Sequence, residues 1–466
     1  MLGDIIGSVN DVLYTYILVI ALVLGGLYFT IRTKFVQFRL FGEQIRSVTE
    51  KPKDGKGVSS FQALMVSTAS RVGTGNIVGV STAICVGGYG SVFWMWVIAL
   101  IGGATAFIES TLAQIYKKRG PDGSYGGPAY YIEAALKSRP LAIVFSVFLI
   151  LTYGVGFNML ASFNLQDTFS SYSFYNESIT PWIIGVVLAG LVCLCLFGGG
   201  KRIVATTSFL VPFMGVAYIL VALFVVVMNY NLLPSIMKNI FVGAFDFKAI
   251  FGGFAGSCIM MGIKRGLFSN EAGVGSAPNA SASAEVAHPV KQGLVQILSV
   301  FIDTILVCTA TAFMCLASGV APTESMKGAP YVQAAVGEAL GKFGPVFITA
   351  AMILFAFTTL LGNLYYVDKA LRYIRGKTPG KVMYTFYYII ASLLILVGAV
   401  LSADLLWDIA DVTMGLMTII NLPVIFYLGK YAIRALDNYV SQKRQGKEPE
   451  FHAKDIDLPH DVDYWD

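Results

Sequence analysis

Apolar runs of about twenty residues recur from one end of this 466-residue chain to the other, and that repetition limits the fold more than any motif does. About 20 helical residues cross roughly 30 Å of hydrocarbon, and a segment in lipid has to satisfy its own backbone, so each run reads as a helix. Runs near residues 12–31, 59–85, 91–115, 141–165, 182–200, 203–228, 249–267, 291–318, 343–371, 381–401 and 407–432 give about eleven spans. With 56% hydrophobic and 13% charged residues, no stretch is left for a separate soluble domain. The expectation is an all-α integral membrane protein.

Loop charge sets the orientation, because Lys and Arg accumulate on the cytoplasmic side. Arg32, Lys34, Arg39, Arg46, Lys51, Lys53 and Lys56 follow the first span, and Lys117, Lys118, Arg119, Lys137 and Arg139 follow the third. The 166–180 loop carries Asp167 and Glu177 and no base. The N-terminus is therefore expected outside the cell membrane and the C-terminus in the cytoplasm. The start, MLGDIIGSVND, lacks a basic region and a small-residue cleavage site, so the first run is expected to be kept. The six cysteines fall almost entirely inside spans without CxxC spacing, and the histidines at 288, 452 and 460 do not cluster. No disulfide, metal centre or organic cofactor is expected.

Two spans are rich in glycine and polar residues. RVGTGNIVGV (71–80) puts Gly73-Thr74-Gly75-Asn76 at half depth, and FGGFAGSCIMMG (251–262), with Gly256-Ser257-Cys258 nearest mid-depth, precedes IKRGLFSNEAGVGSA. Each interior glycine costs a helix roughly 1 kcal/mol relative to alanine, and a free backbone group in hydrocarbon costs several more unless something polar meets it. A ligand can be that partner: N–H groups and the positive dipole end of the second half-helix suit a carboxylate, and carbonyls of the first half suit a small cation. Beyond the first span, the interruptions fall in the first and sixth of ten helices. Five is odd, so two halves of five run in opposite directions, the inverted-repeat plan of secondary transporters. The expected divisions are an extra N-terminal helix with an amphipathic loop (1–57), two five-helix repeats (58–230 and 231–435) and a cytoplasmic tail (436–466). Of the two glycine clusters around the second interruption, the first is expected to unwind.

Other polar positions fit the same picture. Thr358 and Thr359 are adjacent hydroxyls near mid-depth that can dehydrate Na+ without adding charge, while Glu109 and Asp303 are carboxylates within spans and could couple H+ instead. Phe163 and Gln166 share a helical face suited to an apolar wall with one amide. Phe254 and Phe163 would flank a ligand's apolar side chain. Lys264, Arg265 and Glu271 are expected toward the cytoplasm, either as an inner-gate ion network or snorkelling to the interface. GxGxxxG at 73–79 misses the dinucleotide spacing, and GGGKR (198–202) lacks the P-loop hydroxyl. No enzyme is expected. The residues leave a carrier, a channel lined by the mid-depth polar groups, or a non-transporting receptor as alternatives.

RVGTGNIVGV, GGYGSVFWMW (87–96), GGPAYYIE (126–133), IKRGLFSNEAGVGSAP (263–278) and HPVKQG (288–293) together resemble the alanine or glycine:cation symporter family over nearly the whole chain. The resemblance implies the LeuT fold and Na+-coupled, sometimes H+-coupled, uptake of a small neutral amino acid. It implies that Gly73, Thr74 and Gly75 meet the substrate, that Asn76 contacts an ion, and that Thr358 and Thr359 complete a second sodium site. One residue departs from the pattern: Arg71 stands where related transporters have a small residue supplying a carbonyl to sodium.

Overall fold

The computed structural model describes residues 2–52, 57–120, 123–246, 257–459 and 462–465. Its regular structure is helical; the strand-like pairings among the described residues are two isolated bridges, Val58 with Ala284 and Lys118 with Tyr125. Apart from two short helices, Val36–Arg39 and Phe41–Val48, the helices in chain order are α1 (Ile5–Arg32), α2 (Ser60–Arg71), α3 (Gly75–Gly87), α4 (Gly90–Ile115), α5 (Pro128–Leu136), α6 (Arg139–Ser171), α7 (Thr180–Leu196) and α8 (Gly199–Met228). They continue with α9 (Leu233–Ala244), α10 (Cys258–Asn270), α11 (Pro278–Ser281), α12 (Pro289–Leu316), α13 (Ala329–Leu340), α14 (Phe343–Arg375), α15 (Lys381–Gly398) and α16 (Ala403–Arg444). Among the described residues, eight of them are long and apolar enough to cross a membrane.

Composition explains which helices lie inside. In α4, 72% of the most apolar window is buried, and the helix packs against α12, α10, α1 and α16. Small residues permit this: a Cβ on Gly102 would already sit 3.0 Å from the Ala272 Cβ, and one on Gly266 of α10 would sit 2.5 Å from an Ile98 methyl. In α8 and α15 only 28% and 17% are buried, and their exposed Phe209, Phe213, Phe224, Phe386 and Ile389 are matched to hydrocarbon. Ser59 starts α2 with a capping box: its Oγ accepts the Gln62 N–H at 3.2 Å while the Gln62 side chain accepts the Ser59 N–H at 3.0 Å. The start of α2, the end of α4, the segment after α11 and the ends of α14 and α16 share the face that bears the basic loops. A cavity of about 970 Å³ opens there, with Val58, Gln62, Ser283, Glu285 and Tyr365 in its wall.

Candidate functional site

The first interruption lies where the glycines suggest. The ladder of α2 ends with the Val72 N–H on Thr68 O at 2.7 Å; the Gly73 N–H turns to Asn76 Oδ1 at 2.8 Å, and α3 begins with a wide π turn over Gly75–Gly79. Neither Gly73 nor Gly75 has a positive φ, so space is the reason for both. A Cβ on Gly73 would overlap the Thr359 hydroxyl, and one on Gly75 would lie 2.8 Å from the Phe268 ring. Residues 72–80 are buried throughout.

At the second interruption the glycines of the first cluster, Gly252, Gly253 and Gly256, on which the expectation of unwinding falls, lie outside the described residues, as does Phe254. Ser257 caps α10, accepting the Met260 N–H at 3.3 Å, and Cys258 points its thiol at the Gly243 carbonyl. From there α10 runs unbroken for 13 residues, about 20 Å at helical rise, so Ser257 and Cys258 stand far from the break that the described residues contain. That break is Glu271–Ala277, in the second glycine cluster. Glu271 is left-handed at φ 53°, and Gly273 and Gly275 follow at φ 88° and 90°. The unwinding occurs here because polar side chains from other helices meet the freed backbone. Glu109 of α4 accepts the Gly273 N–H at 3.3 Å, and Asn421 of α16 donates to Gly273 O at 2.9 Å and to Glu109 Oε2 at 3.0 Å. Tyr131 donates to Asn421 in turn. Glu271 itself accepts from Ser276 at 2.6 Å and from Ser70 at 3.1 Å, which ties the second break to the first.

Asp303 of α12 joins the two interruptions a second time. Its Oδ1 accepts from Asn76 Nδ2 at 2.6 Å, and its Oδ2 accepts from Ser269 at 2.6 Å and Thr304 at 2.7 Å. Asn76 also reaches Ser269 at 3.2 Å and the Cys308 sulfur at 3.3 Å. Beside this cluster the Phe268 ring lies 4.5 Å from Phe157 and 4.8 Å from Trp407 between centroids. Above Trp407, on the side away from the basic loops, the Arg265 guanidinium lies 4.0 Å from the ring centroid and pairs with Asp411 at 2.9 Å, as Lys264 does at 3.0 Å. Lys264 and Arg265 therefore do not join Glu271 in an inner network; they pair with Asp411 on the opposite side. Phe268, Trp407, Phe157 and Asp411 were not singled out by sequence, although Phe268 sits inside the IKRGLFSNEAGVGSAP motif.

The remaining expected residues divide. The Thr359 Oγ1 is buried without a hydrogen-bond partner and faces Gly73, whereas Thr358 bonds its own helix at Leu354 O, 2.9 Å away, and the Met214 sulfur. The threonine pair points two ways, and only Thr359 faces the break. Thr74 accepts from Asn164 Nδ2 at 3.1 Å, so α6 reaches the break through Asn164. Gln166, expected there, accepts from Tyr175 at 2.9 Å, and Phe163 is half-buried against the core. Arg71 donates from Nη1 to Gln296 at 2.9 Å; its Nε and Nη2 are buried without hydrogen-bond partners, and its charge acts on Glu109, Glu271 and Asp303.

A family model described as the sodium:alanine symporter family matches residues 1–453. The chain belongs to that family. This symporter-family chain is 43% identical over 464 residues to the amino-acid carrier protein AlsT of Bacillus subtilis, covering 100% of this chain and 98% of the relative. It is 40% identical over 467 residues to the probable sodium/glutamine symporter GlnT of the same organism, covering 100% and 96%. Among solved structures it is similar to MhsT in complex with L-phenylalanine, with a TM-score of 0.53 at 15% identity over 82% of this chain and 96% of that one. That likeness gives the symporter the LeuT fold. The family and the relatives named are transporters, not enzymes.

Proposed function

We propose that the protein carries a small neutral amino acid, alanine or glycine, into the cell together with Na+ by alternating access. The observation that carries this reading is the meeting of two mid-span interruptions, joined through Asn76, Ser269 and Asp303 beside an aromatic wall. The substrate carboxylate takes the N-terminal end of α3 around Gly73, Thr74 and Gly75, where N–H groups and the helix dipole favour an anion. A short apolar side chain lies against Phe268, Phe157 and Trp407. Na+ takes oxygens of Asn76 and Asp303, with the unpartnered Thr359 hydroxyl beside Gly73 as a second ion position. No metal chemistry is involved; the ion is cargo.

The drive is sufficient. One charge crossing 100 mV releases about 2.3 kcal/mol, and a tenfold Na+ ratio adds about 1.4, together enough for several-hundred-fold accumulation. Residues 58–230 and 231–435 are read as oppositely oriented five-helix repeats that rock about the site, with the basic loops and the C-terminus cytoplasmic. Isotopic alanine and glycine uptake into proteoliposomes with imposed Na+ or H+ gradients tests this, with unlabelled glutamine as competitor. Saturable uptake that follows the Na+ gradient is expected. Uptake indifferent to Na+ would sink the coupling, and flux that never saturates would mean a channel.

A further inference from the structure

Beyond α16 the chain returns across the face that bears the basic loops as a strap with three buried apolar anchors. Phe451 is 4% exposed, Ile456 1% and Trp465 7%, while residues 444–448, which lead into it, are exposed. Arg434 of α16 donates to Ile456 O at 3.0 Å, and Phe451 packs edge-on against His288 and Trp465 with centroids 5.1 and 5.3 Å apart. The far end of the strap is held just past the end of α4. The Trp465 indole N–H donates to Gln114 O at 2.7 Å, Asp463 accepts the Arg119 N–H at 3.0 Å, and the Lys117 ammonium lies 3.8 Å from the Tyr464 ring centroid.

What the strap grips matters more than how tightly it grips. The Tyr464 hydroxyl donates to Glu285. Glu285 also faces Lys117 at 3.7 Å, and its N–H bonds Val58 O at 2.9 Å. Val58 lies just ahead of α2, and Ala284–Glu285 follows α11, so these three residues mark the basic-side ends of both interrupted helices. Lys117 reinforces the same point by donating to Ala284 O at 2.9 Å. Tyr464 and Glu285 also line the 970 Å³ cavity. Passage between that cavity and the interrupted helices requires these ends to part, and the strap lies across them.

We propose that residues 451–459 and 462–465 form an autoinhibitory strap: Tyr464 and Trp465, docked on Glu285, Lys117 and Gln114, hold the ends of both interrupted helices closed on this face and set the rate at which the transporter opens there. The transport half of the statement rests on the function proposed above. A labelling assay stands apart from it. With Ser283→Cys as reporter in the cavity wall, labelling by a water-soluble maleimide in detergent is expected to rise about tenfold in a chain ended after Glu450, and about as much in Trp465→Ala. Na+-driven alanine uptake should rise about threefold in both. Tyr464→Phe, which keeps the ring on Lys117 and removes the hydroxyl that meets Glu285, should raise reporter labelling by a smaller factor, about threefold; this arm does not depend on whether the truncated chain folds. Labelling within twofold of the full chain in both the truncated chain and Trp465→Ala overturns the strap. A rise in labelling without a rise in an otherwise measurable uptake overturns its control of transport. Uptake absent from every form, with labelling still released, supports the strap and fails the transport reading instead.

Discussion

A methyl group on Gly73 would run into the Thr359 hydroxyl, and two substitutions separate what each residue contributes. Gly73→Ala alone should reduce Na+-dependent uptake by about 100-fold, since a misplacement near 1 Å at a binding group carries that order of loss, and it should destabilise by about 1 to 3 kcal/mol through overpacking. Adding Thr359→Ala removes the clash and should restore the melting temperature while leaving Na+ affinity low. Recovery of Na+ affinity in the double variant would remove Thr359 from the ion site. His288 gives a separate prediction. Its Nδ1 accepts the Val290 N–H at 3.2 Å, and burial holds its pKa down at about 3 against an ordinary 6.5. The folded protein therefore binds fewer protons than the unfolded chain between those values. Stability from this residue is complete above pH 6.5 and is lost progressively as pH falls toward 3. Thermal melts of the solubilised protein should show a lower melting temperature at pH 5 than at pH 7, with a flatter slope in His288→Asn.

At the scale of elements, the two interruptions are built by different means, and only one was legible. Around Gly73-Thr74-Gly75-Asn76 the signal is local: two glycines admit Thr359 and Phe268, and an asparagine three residues on accepts the freed N–H. The second break is set from a distance. Glycines at 252, 253 and 256 permit unwinding by sequence as readily as those at 273 and 275 and lie outside the described residues; 273 and 275 lie where Glu109 and Asn421 meet the open backbone. Nothing in a one-dimensional reading of 249–278 says that α4 and α16 deliver those side chains, nor that Glu271 adopts a left-handed backbone that costs a side-chain-bearing residue about 1 kcal/mol. Glu109 holds the second break open through these bonds, and two substitutions separate that part from ion coupling. Glu109→Ala should destabilise by several kcal/mol, about 1 to 3 for each buried partner left unmet. Glu109→Gln, which keeps an acceptor for Gly273, should be milder and leave the Na+ half-saturation of uptake within about threefold. A large shift in Na+ dependence with Gln would return Glu109 to the ion pathway.

For the whole molecule, hydropathy and the spacing of the runs were enough to anticipate an all-helical membrane bundle, since each apolar run is its own evidence for a span. Which faces close against each other was not readable, because Lys264, Arg265 and Asp411 are far apart in sequence and opposite charges in a helical chain have many conceivable partners. On the side away from the basic loops, Asp411 receives both cations over the Trp407 ring. Asp411→Asn leaves Lys264 and Arg265 without a carboxylate and should shift the population toward forms open on that side. A cysteine at position 79, whose Cβ would have room 3.8 Å from Trp407, should then react about tenfold faster with a water-soluble thiol reagent; equal reactivity would remove the pair from any closing role.

Asp303 is fastened at one oxygen by the first interrupted helix and at the other by the second. Such a shared fastening penalises slippage. An ion that travels without its companion has to pull both helices off the same carboxylate with nothing to replace them, so uncoupled leak current should be small even when membrane voltage is high.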